Sequence, residues 1–209
     1  VFEIAARSVG VSLAATLVAA CFALPGALWI VYGRSRQRIV LLGVFNVGLG
    51  LPPVAVGLAV AFTFWRSGPL GWLDLLYTPV AMVVAQTLVI TPLMGTLAVV
   101  ALRAVDPSLN DQLAALTVPA RSRLRLLARE AIPGLLAAAL AGFGRAIAEV
   151  GAAQMTGGNI EGQTRVLTTA TMLEVSRGRF GAAFADVAVL LGIVAIVAGG
   201  MLVLQARWR

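Results

Sequence analysis

The sequence predicts an all-α integral membrane protein with five transmembrane helices, and three observations point there. Of 209 residues, 60% are hydrophobic and 12% charged, against roughly 25% charged in ordinary soluble domains. The charges are also gathered: 26 uncharged residues separate Arg7 from Arg34, 27 separate Arg38 from Arg66, 28 separate Asp74 from Arg103, and 20 separate Asp186 from Arg207. Each gap reaches the ~20 residues that cross a hydrocarbon layer. Finally, the apolar runs are continuous rather than alternating, which favours helices over strands, because a segment in lipid must satisfy its own backbone hydrogen bonds.

The elements follow in order as a single membrane domain, 1–209. The first span, roughly 8–32, is longer than the about 7–15 apolar residues of a signal-peptide core, and further spans follow it, so it is expected to persist. The second covers roughly 39–65 and the third roughly 77–102. A fourth, roughly 132–155, carries Arg145 and Glu149, and the fifth covers roughly 184–206. Two connections are too long for turns. The first, 103–131, opens with Asp106-Pro107-Ser108, a helix-start signal, and then places Leu109, Leu113, Leu116 and Ala120 at helical spacing. It predicts a short amphipathic surface helix, suited either to a cleft in another protein or to resting on lipid. The second, 156–183, is polar and turn-rich around Gly157-Gly158-Asn159, but apolar enough from Val166 to Val175 to dip back toward the protein.

Five spans put the termini on opposite sides. With the N-terminus outside, ten arginines fall inside (Arg34, Arg36, Arg38, Arg103, Arg121, Arg123, Arg125, Arg129, Arg207, Arg209) and five outside (Arg7, Arg66, Arg165, Arg177, Arg179). The positive-inside rule selects this orientation, with a cytoplasmic C-terminus. It also accounts for the net charge of +7 without nucleic acid as a partner, since no aromatic-interleaved basic surface is present.

Composition excludes much chemistry. All 16 basic residues are arginine, so there is no phosphate-binding P-loop lysine and no Schiff base; His is absent, and Cys21 is the lone cysteine. No catalytic residue and no metal site are expected: the acids are scattered and the serines lack a neighbouring base. Within the spans, Pro25-Gly26, Gly48 to Pro53, and Pro92 with Gly95 read as helix interruptions, used either for close packing or for a translocation path.

The stretch LAALTVPA, Leu113 to Ala120, resembles the EAA loop of permease subunits of binding-protein-dependent ABC importers. Ala114 and Ala115 match its two alanines, Val118 its hydrophobic position and Ala120 the small residue after its glycine; Leu113 stands for the glutamate and Pro119 for the glycine. The segment Gly142 to Glu174, with Arg145, Glu149, Gly151, Gly158-Asn159-Ile160 and Thr164-Arg165, resembles the tungstate, molybdate and sulfate group. The run TRVLTTA, Thr164 to Ala170, is most similar to the tungstate branch. GLPPVAVGL from Gly50 and TPVAMVVAQTLVITPL from Thr78 extend the likeness over nearly the whole chain.

The resemblance implies the type I ABC importer permease fold, with a cytoplasmic coupling helix, in the cytoplasmic (inner) membrane of a prokaryote. It implies a homodimer working with an ATP-binding cassette subunit and a soluble periplasmic or extracellular oxyanion-binding protein. No cofactor is bound by this chain; ATP and Mg are implied on the partner subunit. Leu113, Ala114, Ala115, Val118, Pro119 and Ala120 are then the coupling residues. Arg145, Glu149, Gly158, Asn159, Thr164 and Arg165 are the pathway or gate candidates.

From the residues themselves, the alternatives stay open. Asn159, Thr164 and Arg165 suit an oxyanion, a docked binding protein, or the loop's own hydrogen bonds. On an unbroken helix from Ile132, Arg145 would lie about 20 Å and Glu149 about 26 Å from the cytoplasmic end, as a structural ion pair or as a gate, with neither facing lipid. A gradient-driven carrier is the rival function; it normally shows titratable groups at mid-membrane, and a self-neutralising Arg145–Glu149 pair argues against it. Molybdate or sulfate is the alternative cargo.

Overall fold

A computed structural model describes residues 1–33 and 36–206. Arg34, Arg207 and Arg209, used above to assign the cytoplasmic side, lie outside the described residues. Ten α-helices make up the structure, with no strand among the described residues: α1 (Phe2–Tyr32), α2 (Gln37–Leu49), α3 (Pro53–Phe64), α4 (Pro79–Arg103), α5 (Pro107–Ala115), α6 (Ala120–Glu130), α7 (Ile132–Ile147), α8 (Gly151–Gly157), α9 (Leu167–Ser176) and α10 (Phe180–Ala206). Several starts follow directly from sequence. Pro53, Pro79 and Pro107 occupy first helical positions, where their missing N–H costs nothing. Thr78 and Asp106 cap α4 and α5 through their side-chain oxygens.

Three helices, α1, α4 and α10, are long and apolar enough to cross a membrane unaided. Two further crossings arise only if bent pairs are counted as one each: α2 with α3, bent by 106°, and α6 with α7, bent by 65°. The expected second span, 39–65, is therefore not one helix. Pro52 and Pro53 disfavour α conformation in the residue before each, and the chain turns between Gly50 and Pro52. The expected fourth span, 132–155, is broken as well, since α7 ends at Ile147 and α8 begins at Gly151.

The other expected interruptions do not occur. Pro92 lies inside the continuous α4, and Pro25 inside the continuous α1. At Pro92 the neighbouring helix makes room for the ring. At Gly48 a Cβ would come within 2.5 Å of the Pro92 ring, so the missing side chain of α2 makes room for the proline of α4.

Helix α4 is the centre, packing on α1, α2, α3, α7 and α8. Its Met82 lies against Gly157, its Gly95 against Phe45, and its Met94 against Gly142. One core cluster joins Ala15, Ala19, Ala23, Ile90, Met94 and Ala146. Large residues on one helix thus sit opposite small ones on the next, the arrangement that lets helices approach where lipid removes the hydrophobic drive to associate. The region 156–183, expected to be mostly loop, instead contains the end of α8 and all of α9. As the apolar run from Val166 predicts, Leu167 through Ala170 are buried.

Candidate functional site

Three places gather the sequence-predicted residues. The first is the break between α7 and α8. Arg145 lies in the last turn of α7, and its Nη1 is 3.1 Å from Glu149 Oε2. Glu149 is not on the same helix, as an unbroken span would have required; it sits in the break. There Glu149 Oε1 accepts hydrogen bonds from Gly151 N (3.0 Å) and Ala152 N (3.3 Å) at the start of α8. The break exists because the carboxylate replaces helical carbonyls as acceptor for these N–H groups, and its negative charge suits a helix N-terminus. Thr168 of α9 donates to the Glu149 carbonyl at 3.1 Å. The Glu149 side chain is 4% exposed while that of Arg145 is 43% exposed, so the pair presents its cation outward.

On one face toward the end of α7, Ala137, Ala141, Gly144 and Arg145 are open or half-open at helical spacing, and Ala148 follows just past the helix. A Cβ on Gly144 would meet nothing within 4 Å. One guanidinium therefore stands on an otherwise small, smooth face.

The second place is the turn from Gly158 to Arg165. Gly158 (φ 67°) and Asn159 (φ 55°) are left-handed, and a Cβ on Gly158 would press on Tyr77, so glycine is required there twice over. Thr164 is fully buried; its hydroxyl donates to the Gly157 carbonyl and accepts from Ile160 N. Asn159 Nδ2 donates to Thr169 O at 3.3 Å. Arg165 pairs with the exposed Glu161 at 3.3 Å. Gly158, Asn159 and Thr164 thus build the turn, whereas Arg165 lines a small pocket with Arg7 and Glu161. Arg7 clamps this turn to α1, donating to Arg165 O (3.0 Å) and Gly162 O (2.7 Å).

The third place is the expected coupling helix. Helical spacing predicted continuity from Leu109 to Ala120, but α5 stops at Ala115. Thr117 takes φ 55°, Thr117 N donates to Ala114 O and Val118 N to Leu113 O, and Pro119 caps a new helix beginning at Ala120. This is the paired 5→2 and 6→1 closure of a left-handed helix end, reinforced by the restriction Pro119 places on Val118. The six residues therefore share a helix end, a turn and a helix start rather than one helix. Ala114, Ala115 and Leu116 are exposed, Leu116 by 72%.

Comparison with known proteins places this architecture. The chain is 37% identical over 99% of its length, and 90% of the relative's, to a probable anion ABC transporter permease protein of Haloferax volcanii. It belongs to the ABC transporter permeases. The permease is also 36% identical, over 94% of its length and 84% of the relative's, to the tungstate uptake system permease protein TupB of Peptoclostridium acidaminophilum. To the molybdenum transport system permease protein ModB of Mycobacterium tuberculosis it is 30% identical, over 97% and 77%. Among solved structures, an inward-facing MetNI methionine ABC transporter matches with a TM-score of 0.84 at 13% identity, covering 100% of the permease and 95% of that chain. That likeness shows the importer permease fold. No family model matches the sequence.

Sequence reasoning missed several residues that the folded permease uses. Arg7 and Ser8 of α1 hold the Gly158 to Arg165 turn and α9; Ser8 Oγ accepts from Leu167 N at 2.8 Å. Their partners lie more than 150 residues away, so no local spacing reveals them. Asp186 is buried within α10, and its position inside an apolar run was the available signal.

Proposed function

We propose that this permease is the transmembrane subunit of an ATP-driven importer carrying a tetrahedral oxyanion, tungstate first, inward across the cytoplasmic membrane of a prokaryote, with its N-terminus outside. Arg145 carries the proposal. A guanidinium 43% exposed on the surface of one chain, on an apolar helix of membrane depth, does not belong against lipid. Its surroundings of alanine and glycine leave space beside it. It therefore faces a path shared with a second copy, where it attracts a dianion, while Glu149 offsets its charge so that the anion also leaves. The relatives named for anion, tungstate and molybdenum transport supply the cargo class.

The second copy has a seat in α10. Only 6% of that helix's apolar stretch is buried, against 50% for α4. Gly181, Ala185, Ala188, Gly192, Ala195 and Gly199 recur along its exposed side at alternating steps of four and three residues. Such small-residue stripes let two helices meet backbone to backbone, which supports the homodimer. Leu113, Ala114, Ala115, Val118, Pro119 and Ala120 form the contact to an ATP-binding cassette subunit, which binds ATP and Mg and supplies the energy this chain cannot. Arg165, beside Arg7 at the outer mouth, receives the oxyanion or the soluble binding protein that delivers it.

The test is uptake by vesicles holding the permease, its ATPase and its binding protein, with tungstate, molybdate and sulfate in competition. Uptake that requires ATP and is displaced by tungstate and molybdate is expected. Uptake driven by an ion gradient without the ATPase would replace the importer with a secondary carrier, and displacement by sulfate alone would replace the cargo.

A further inference from the structure

At the arginine-rich end of the permease a cleft of about 710 Å³ separates α1 from α6. Its walls are two helical faces. Pro25, Leu28, Trp29 and Tyr32 of α1, and Ala120, Arg123, Leu124 and Leu127 of α6, follow the same i, i+3, i+4, i+7 spacing. Arg38 stands at the rim, and none of the described residues lining the cleft is acidic. The cleft is therefore amphipathic: apolar below, with two guanidinium groups and the half-exposed Trp29 at its edge.

The arginines of α6 are not equivalent. Arg121 and Arg125 are exposed, whereas Arg123 is half-buried in the cleft wall. Arg38 donates Nη1 to Gly33 O at 3.1 Å, which orients its guanidinium while leaving further donors. Arg123 makes no side-chain ion pair with any described residue. The cleft adjoins the surface assigned to the ATPase: Asn110 and Ala120 line it, whereas Ala114, Ala115 and Leu116 do not.

We infer that this cleft binds one anionic phospholipid of the inner leaflet, with its phosphate between Arg38 and Arg123 and an acyl chain along Leu28, Leu124 and Leu127. A free phosphate would leave the apolar walls uncovered, and a zwitterionic lipid would bring a phosphate together with a headgroup cation that the two guanidinium groups repel. Tryptophan and tyrosine at the mouth match the headgroup level of a bilayer. Bound there, the lipid fills the space between α1 and α6. Leu127 is the one buried residue of α6, and α5 has none, so the lipid supplies packing to the segment that meets the ATPase.

The test uses the complete complex with Trp65, Trp72 and Trp208 changed to Phe, leaving Trp29 as the permease's tryptophan, in nanodiscs of phosphatidylcholine doped with brominated phosphatidylglycerol or brominated phosphatidylcholine. The change in emission is compared with that of a Trp29→Phe control. Brominated phosphatidylglycerol should quench Trp29 at roughly tenfold lower mole fraction than brominated phosphatidylcholine, because two arginines each favour the anionic headgroup. Arg38→Gln with Arg123→Gln should remove that preference, while Arg121→Gln with Arg125→Gln should retain it. Equal quenching by both lipids overturns the proposal, as does a preference that survives loss of Arg38 and Arg123. Displacement by millimolar inorganic phosphate overturns it in favour of a soluble anion, and quenching seen in the permease alone but absent from the complete complex overturns it in favour of a protein-covered cleft. If the Arg38 and Arg123 variant does not assemble, the comparison of the two lipids on the parental arginines decides.

Discussion

Helix α4 and the α5–α6 pair are separated by residues 104–106 alone, yet they are built on opposite terms. Half of α4's apolar stretch is buried, and it meets glycines on neighbouring helices. The α5–α6 pair buries Leu127 alone and is shaped by local devices: the Asp106 carboxylate on Ser108 N, the left-handed Thr117, and Pro119. In α4 a side chain matters through what it touches within the chain. In α5 it matters through what the chain leaves uncovered. Substitutions should accordingly separate into those that lose the fold and those that lose only function.

The largest effect on stability is expected in the bundle around α4. Gly57 of α3 lies so close to α8 that a Cβ would be 2.7 Å from Ala152 Cα and 3.1 Å from Met155 Cβ. The nearest obstacle is backbone, which cannot rotate aside. Gly57→Leu should force α3 and α8 apart and cost about 3 kcal/mol or more, read as a large drop in the melting temperature of the purified complex. A parental melting temperature would show that the α3–α8 contact does not hold the bundle.

An intermediate effect is expected at the α7–α8 break, where structural and functional roles divide within one ion pair. Glu149→Ala removes both the partner of Arg145 and the acceptor for two N–H groups of α8, and should cost about 2–3 kcal/mol. Arg145→Ala should cost under about 1 kcal/mol, because the guanidinium is substantially exposed and Glu149 keeps its two N–H donors. Uptake should nevertheless be lost in Arg145→Ala. The double variant with Arg145→Ala and Glu149→Gln should retain fold stability near the parent and still lack regulated uptake. Recovery of regulated uptake in that variant would return Arg145 to a purely structural role.

The same division explains what was legible in the sequence. The membrane class and the long α1, α4 and α10 follow from gaps between charges, because hydrocarbon thickness sets a length that composition displays directly. The ion pair of Arg145 with Glu149 was visible from spacing, and the exposed end of α5 from the alanines. The breaks were harder to read. Pro92 and Pro25 looked like interruptions but lie inside continuous helices, Pro92 against Gly48, while the break at 148–150 contains no proline at all. It depends on a glutamate folding back to cap the next helix, a choice made by tertiary contacts with Thr168. The clamp by Arg7 joins residues more than 150 positions apart, beyond any local pattern.

The smallest effect on the fold, joined to a complete effect on function, is expected at Ala115. It is exposed at the last turn of α5, and no residue of α5 is buried. Ala115→Glu should therefore change stability by no more than about 0.5 kcal/mol, as is usual for surface positions away from caps and cores. Alanine is among the smallest residues, and a surface meant for close approach by a partner has no space for a carboxylate or a counter-charge for it. The permease should fold, dimerise and melt as the parent does, yet fail to bind its ATPase and to take up substrate. Pull-down of the ATPase and the melting curve, measured on the same preparation, give the two readings. Loss of both would mean that α5 supports the bundle after all, and the contrast with α4 would fail. Retention of both would remove Ala115 from the coupling contact and leave the exposed Leu116 as the next position on that surface to test.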